Sequence, residues 1–180
     1  FSELEQRHAF LTSQQRDLDQ SMESLRETIR KINRSTRDRF LEAFEAIRAS
    51  FQDVFRSLFH GGRADLRLEE GDDVLEAGVE ILVQPPGKRL GNVHLLSGGE
   101  KAMAAIALLF AIFRWHPSPF CLLDEVDAAL DDVNVNRFTK MLRDYAAQTQ
   151  FIMITHNKRS MESADLLYGV TMEEPGVSKL

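Results

Sequence analysis

The chain has 180 residues, 43% of them hydrophobic and 28% charged, the profile of one globular domain with an appendage. Its formal net charge of −6 excludes a globally basic nucleic-acid binder and leaves room only for a local basic stripe. A single cysteine, Cys121, excludes an internal disulfide framework and points to a reducing compartment, and no apolar run reaches the ~20 residues that span a bilayer.

The start, Phe1-Ser2-Glu3-Leu4-Glu5, lacks the basic region of a signal peptide, and both ends are expected to be cut points in a longer protein. Residues 1–59 contain neither Gly nor Pro, which predicts one helix of ~85 Å at ~1.5 Å per residue. That exceeds the diameter of a domain this size, so much of the helix must project. Leu4, Leu11, Leu18, Leu25 and Ile32 recur every seven residues, with Phe1, Met22 and Ile29 at alternate seam positions and His8, Gln15 and Thr36 at the others. This is a weak heptad seam, and it needs a partner helix that no other segment of the chain can supply. From Phe40 the stripe widens through Phe44, Ile47, Phe51, Val54, Phe55, Leu58 and Phe59, where the helix is expected to dock on a globular body. The spacing of four from Ile32 through Thr36 and Phe40 to Phe44 is a stutter that unwinds the supercoil locally.

His60-Gly61-Gly62 stops the helix. Ala64 to Glu69 and Val79 to Val83 alternate apolar and polar, which predicts a β-meander or hairpin over 64–83, closed by the loop Pro85-Pro86-Gly87-Lys88. Helices are expected at about 98–113, 133–147 and 158–163, and strands at about 120–124, 151–155 and 166–172. Alternation of this kind predicts an α/β fold with a parallel sheet.

Four segments carry chemistry. Phe120-Cys121-Leu122-Leu123 ends in Asp124-Glu125, read as a buried parallel strand that delivers two acids to the sheet edge where ligands bind. Burying two carboxylates is costly, so a cation or a reaction must account for them. In a Walker B strand, Asp124 holds Mg²⁺ directly or through water, and Glu125 polarises the attacking water as general base; as structure alone, the pair would only cap the next turn. Leu96-Ser97-Gly98-Gly99-Glu100-Lys101 has capping-box spacing. A cap does not explain two glycines in a first turn, whereas a phosphate approaching bare N–H groups does, with Ser97 as a further donor and Lys101 one turn on. Phe151-Ile152-Met153-Ile154 is a second apolar strand followed by Thr155 and His156, which shares the edge with Asp124 if the two strands are neighbours. In Ala128-Ala129-Leu130-Asp131-Asp132, Asp132 is expected to cap the following helix and to leave Asp131 free.

No G-x-x-x-x-G-K-[ST] phosphate loop occurs in the 180 residues, and Gly87-Lys88 fails that pattern because Leu82 precedes it and Arg89 follows. The chain therefore reads as half of a nucleotide site. Between residues 26 and 39, six basic side chains face two acidic ones, and Arg30, Arg34 and Arg37 share a helix face. A solvated coiled-coil flank accounts for them; contact with a DNA backbone is the functional alternative.

Together these motifs resemble the SMC (structural maintenance of chromosomes) family of the bacterial chromosome-partition type, over roughly residues 37–180. Leu96 to Lys101 resembles the ABC-type signature motif (96–101), Phe120 to Glu125 the Walker B strand, Ala128 to Asp132 the D-loop, and Gln150 to His156 the strand that leads to the switch histidine. Gln84 to Lys88, Pro119-Phe120 and Tyr168 to Met172 resemble flanking stretches. The resemblance implies an ABC-type ATPase head: a coiled-coil neck over 1–59 and the C-terminal lobe over 60–180, completed by an N-terminal lobe bearing Walker A. It implies ATP and Mg²⁺, and two heads that sandwich nucleotide. Ser97, Gly98, Gly99 and Lys101 would meet the partner head's nucleotide, Asp124 and Glu125 would serve their own, Asp131 would lie at the seam, and His156 near the γ-phosphate. The implied partners are the N-terminal lobe, a second head, a kleisin subunit with its winged-helix associate, and DNA, at the nucleoid in the cytoplasm and with no membrane. Coiled-coil ABC ATPases of the Rad50 or RecN kind, a transporter nucleotide-binding domain and a non-catalytic coiled-coil module are the competing readings. The intact Ser97, Asp124, Glu125 and His156 oppose the last of these.

Overall fold

The computed structural model describes residues 1–71, 73–174 and 177–179. Helix α1 runs unbroken over Ser2–Phe59, as a stretch without Gly or Pro should. Along its first half Leu4, Leu11, Leu18, Leu25 and Ile32 are 57–74% exposed, so the heptad seam is left uncovered by the described residues. Burial begins at Phe44 and becomes complete at Phe51, Phe55 and Leu58. His60 ends the helix in the left-handed conformation (φ 54°), and the Gly61 N–H donates to the Arg56 carbonyl at 2.9 Å. Gly62 follows at φ 78°, where a Cβ would run into the Gln84 carbonyl oxygen.

The chain then forms an antiparallel meander of β1 (Arg63–Leu68), β2 (Val79–Gln84) and the two-residue β3 (Gly91–Asn92). Leu66 pairs with Ile81 and Ala64 with Val83, which turns Ala64, Leu66 and Val83 toward α1. Asp65, between Ala64 and Leu66, is half-buried and also reaches α1. Its carboxylate takes Arg48 of α1 in a fork, with Nε at 2.6 Å and Nη2 at 3.1 Å, together with Gln52 Nε2 at 3.1 Å.

The second layer is α2 (Gly98–Trp115), β4 (Phe120–Asp124), α3 (Asp132–Tyr145), β5 (Gln150–Ile154) and α4 (Lys158–Glu162). Helix α2 is the pivot of the core. Met103, Ala107, Phe110 and Ala111 are wholly buried, and their cluster takes in Phe44, Phe51 and Phe55 of α1 together with Val135, Phe138 and Leu123. Strands β4 and β5 pair in parallel, Phe120 with Gln150 through Asp124 with Ile154, as the α/β alternation predicts.

Two expectations need correction. Strand β4 is covered on one face only: Leu123 is buried, but Phe120, Leu122, Ile152 and Ile154 are 49–61% exposed on the sheet's outer face. Among the described residues no helix covers that face. The expected strand at 166–172 is displaced as well. Leu166 to Val170 join no ladder; β6 (Thr171–Glu174) pairs antiparallel with β7 (Val177–Lys179) in a separate two-stranded sheet. An apolar run becomes a strand only where an edge is offered to it, and among the described residues none is offered to 166–170.

Candidate functional site

Because β4 and β5 are parallel and in register, their C-terminal ends arrive together. Asp124 closes β4, and Glu125 follows in the left-handed region (φ 48°), an uncommon state for a residue with a side chain. Its N–H donates to the Ile154 carbonyl at 2.9 Å, which fixes the turn against the end of β5. His156, two residues beyond that carbonyl, brings Nδ1 to 3.7 Å from Glu125 Oε1. The expected union of Asp124, Glu125 and His156 at one edge is thus met. Both members of the Glu125–His156 pair are exposed. Asp124 is exposed as well, so the expected cost of burying two acids is not incurred among the described residues.

The second group lies around the N-terminus of α2. Ser97 donates through its backbone N–H (3.0 Å) and its hydroxyl (2.8 Å) to Glu100 Oε2, in the expected capping-box arrangement. Lys88 Nζ reaches the same oxygen at 2.8 Å. That ammonium and the Ser97 N–H hold the Glu100 carboxyl below the ordinary carboxylate range. The two glycines have different reasons. A Cβ on Gly99 would stand 3.0 Å from the Ala129 carbonyl oxygen, so this glycine lets the 128–132 loop pack closely. A Cβ on Gly98 would meet nothing, so no neighbour requires glycine there, and the exposed Gly98 leaves room for an anion to approach the start of α2. Lys101 is exposed one turn on.

Asp131, and not Asp132, caps α3: its Oδ1 accepts the Asn134 N–H at 2.8 Å. The helix begins one residue earlier than expected, which makes Asp131 the N-cap and frees Asp132 to accept Arg159 Nη2 at 3.0 Å. Asp131 nevertheless lines an open cleft of about 560 Å³ together with Ser97, Gly99, Asn134 and Arg137. Asp124, Glu125 and His156 are not among its lining residues, so the chain presents two separate polar groups.

Arg30, Arg34 and Arg37 lie on the exposed half of α1 and belong to neither group; Arg30 Nη2 stands 3.6 Å from Glu23. Among the described residues, no set of three His, Cys, Asp or Glu side chains gathers as a metal cage. The carboxylate at the end of β4 suits Mg²⁺ all the same, since that ion keeps its waters and takes one or two carboxylates alongside phosphate oxygens. Burial pushes the Cys121 thiol up, which argues against a nucleophilic role. No described helix is long and apolar enough to cross a membrane. Sequence reasoning passed over Lys88 and Asp127. Lys88 was set aside with a failed phosphate-loop pattern, and Asp127 was legible only as a third acid after Asp124-Glu125.

The RecF/RecN/SMC N terminal domain family matches residues 6–179. The chain is 54% identical over 179 residues to the chromosome partition protein Smc of Myxococcus xanthus, and 53% identical over 180 residues to that of Bacillus subtilis. These alignments cover 99% and 100% of the chain and 15% of each relative. The fold is similar to the Smc head domain with an extended coiled coil bound to the C-terminal domain of ScpA from Pyrococcus furiosus. The TM-score is 0.78 at 40% identity, covering 99% of this chain and 45% of that one. It is also similar to the SMC head domain of Thermotoga maritima, with a TM-score of 0.59 at 45% identity over 80% of this chain and 49% of that one.

Proposed function

The chain belongs to the RecF/RecN/SMC family, and from that premise we propose that it is the C-terminal half of an SMC ATPase head, catalytic only after assembly. Residues 1–59 form its coiled-coil neck and residues 60–180 its lobe. The supporting observation is the parallel β4–β5 register, which sets Asp124, Glu125 and His156 at one sheet edge while Ser97, Gly99 and Asp131 line a separate cleft. Two polar groups on one lobe suit a dimer of heads, in which each lobe serves its own nucleotide with one group and its partner's with the other. The uncovered apolar face of Phe120, Leu122, Ile152 and Ile154 suits an N-terminal lobe that would continue the sheet and bring the phosphate loop.

In the assembled head, Glu125 orients a water toward the γ-phosphorus and takes its proton as the bond from phosphorus to the β–γ bridging oxygen breaks, releasing ADP and phosphate. Asp124 would hold Mg²⁺, which supplies charge neutralisation at the β- and γ-phosphate oxygens. His156, adjacent to Glu125, donates toward the γ-phosphate. From the other head, Ser97 turns its hydroxyl from Glu100 to the phosphate, the N–H groups at Gly98 and Gly99 add to it, and Lys101 contributes charge. Asp131 stays at the seam as the α3 cap.

The M. xanthus and B. subtilis relatives are chromosome partition proteins, and the P. furiosus head is bound to the C-terminal domain of ScpA. A further similar structure concerns ATP-driven dimerization and DNA stimulated activation of SMC ATPases, with a TM-score of 0.71 at 40% identity. We carry over to this chain a kleisin partner with its winged-helix associate, ATP-dependent head pairing, DNA entrapment and a place at the nucleoid in chromosome condensation and segregation. The test is Glu125→Gln in a head completed with its N-terminal lobe. Turnover should fall at least about a hundredfold while ATP stays bound and the head dimer persists. Hydrolysis at the wild-type rate would remove Glu125 from the base role.

A further inference from the structure

The reading above leaves Asp127 without a task, yet among the described residues it is the most buried carboxylate, at 2% exposure. No Lys, Arg or His lies within ion-pair distance of it among the described residues. Its partners are hydroxyls: Oδ2 accepts Thr155 Oγ1 at 2.7 Å and also the Ser160 hydroxyl of α4. Thr155 Oγ1 in turn accepts the Asn157 N–H at 2.9 Å. A carboxylate buried without a cation is costly, and an apolar side chain of similar size would spare the domain that cost. What Asp127 contributes is position. It stands two residues after Glu125, and Thr155 stands one residue before His156. The two catalytic turns are therefore joined twice, by Glu125 N–H to Ile154 carbonyl and by Thr155 hydroxyl to Asp127.

From this geometry we infer that Asp127 is a positioning residue that locks the Glu125 turn to the His156 turn, so that base and histidine face the γ-phosphate as one rigid unit. The unit also contains the left-handed Glu125 (φ 48°), a conformation that persists only where its surroundings over-determine it. Cutting the hydroxyl–carboxylate link leaves the Glu125 N–H to Ile154 carbonyl bond as the one remaining tie between the two turns, and Glu125 and His156 then drift apart. The inference rests on the roles proposed above for Glu125 and His156.

The experiment uses the complete, dimer-competent head. Asp127→Asn keeps an acceptor for both hydroxyls and should retain kcat within about threefold, whereas Asp127→Ala should lower kcat about a hundredfold, the scale of an ångström of misplacement, with KM for ATP nearly unchanged. Thr155→Val and Thr155→Ser repeat the test should Asp127→Ala fail to fold: the valine variant loses kcat and the serine variant restores it. Hydrogen exchange gives a readout apart from turnover, with the Glu125 amide losing protection in Asp127→Ala and Thr155→Val only. Glu125→Gln runs in parallel. If that variant abolishes turnover while Asp127→Ala and Thr155→Val keep wild-type kcat and protection, the positioning role is refuted. If Glu125→Gln itself turns over normally, the reading beneath it fails instead. Equal loss in Asp127→Asn and Asp127→Ala would also overturn the inference.

Discussion

Replacing Asp65 by alanine removes the polar bridge that fastens α1 to the meander. The carboxylate accepts Arg48 Nε at 2.6 Å, Arg48 Nη2 at 3.1 Å, Gln52 Nε2 at 3.1 Å and the Leu66 N–H at 3.1 Å. Forked, charge-assisted bonds of this kind are the strong ones. Asp65 and Arg48 are 19% and 34% exposed, so solvent screens the pair, and the freed Arg48 can rehydrate. The loss should lie between the ~1 kcal/mol ceiling of exposed pairs and the ~3–5 kcal/mol of broken buried ones, at about 2 kcal/mol. Denaturant unfolding of the complete head, followed by circular dichroism, reads it directly. The pH dependence gives a second check. The Arg48 guanidinium, above all, holds the Asp65 carboxyl below its ordinary value of 3.8. A depressed carboxylate stabilises the fold above the unfolded pKa, and this is lost as pH falls through the folded one. The gap between wild type and Asp65→Ala should therefore be level at neutral pH and shrink below about pH 4. A difference under about 0.5 kcal/mol, the level of an ordinary surface substitution, or one that persists undiminished in acid, would refute the reasoning.

Two further predictions concern engagement and DNA. Ser97→Arg should leave nucleotide binding by each head intact and abolish ATP-dependent pairing, because a bulky cation replaces the donor at the open α2 terminus; pairing at wild-type affinity, measured by sedimentation, would remove Ser97 from the trans role. Reversing the charge of Arg30, Arg34 and Arg37 should weaken DNA binding and flatten its dependence on log salt by about three phosphate contacts if all three touch the backbone. An unchanged salt slope returns that stripe to a solvated flank.

Long-period features were legible in the amino-acid sequence, and single hydrogen bonds were not. Helix α1 was readable because 59 residues carry no Gly or Pro to break a helix and repeat apolar residues every seven positions, and its heptad seam is indeed uncovered. The β4–β5 pair was readable from two short apolar runs that each end in polar residues. Strand β3 was not, since two residues show no period. Asp131 and Asp132 are chemically equal candidates for the α3 cap, and only the start of the helix separates them. The apolar run at 166–170 looked like a strand because the sequence records hydrophobicity and not whether an edge is offered to pair with it. The exposure of the outer face of β4 was hidden for the same reason: the pattern demands a cover without saying which chain provides it. Asp127 and Lys88 escaped notice because their meaning lies in partners 28 and 12 residues away, Thr155 and Glu100.

The central claim is that this chain carries the water-activating half of an ATPase and lacks the phosphate cradle. It is tested most directly by ATP turnover of the chain alone and after mixing with the N-terminal lobe of an SMC head. The account predicts no turnover alone and hydrolysis on mixing, lost again with Glu125→Gln. Turnover by the isolated chain would contradict it, because a phosphate-binding loop would then have to exist within these 180 residues.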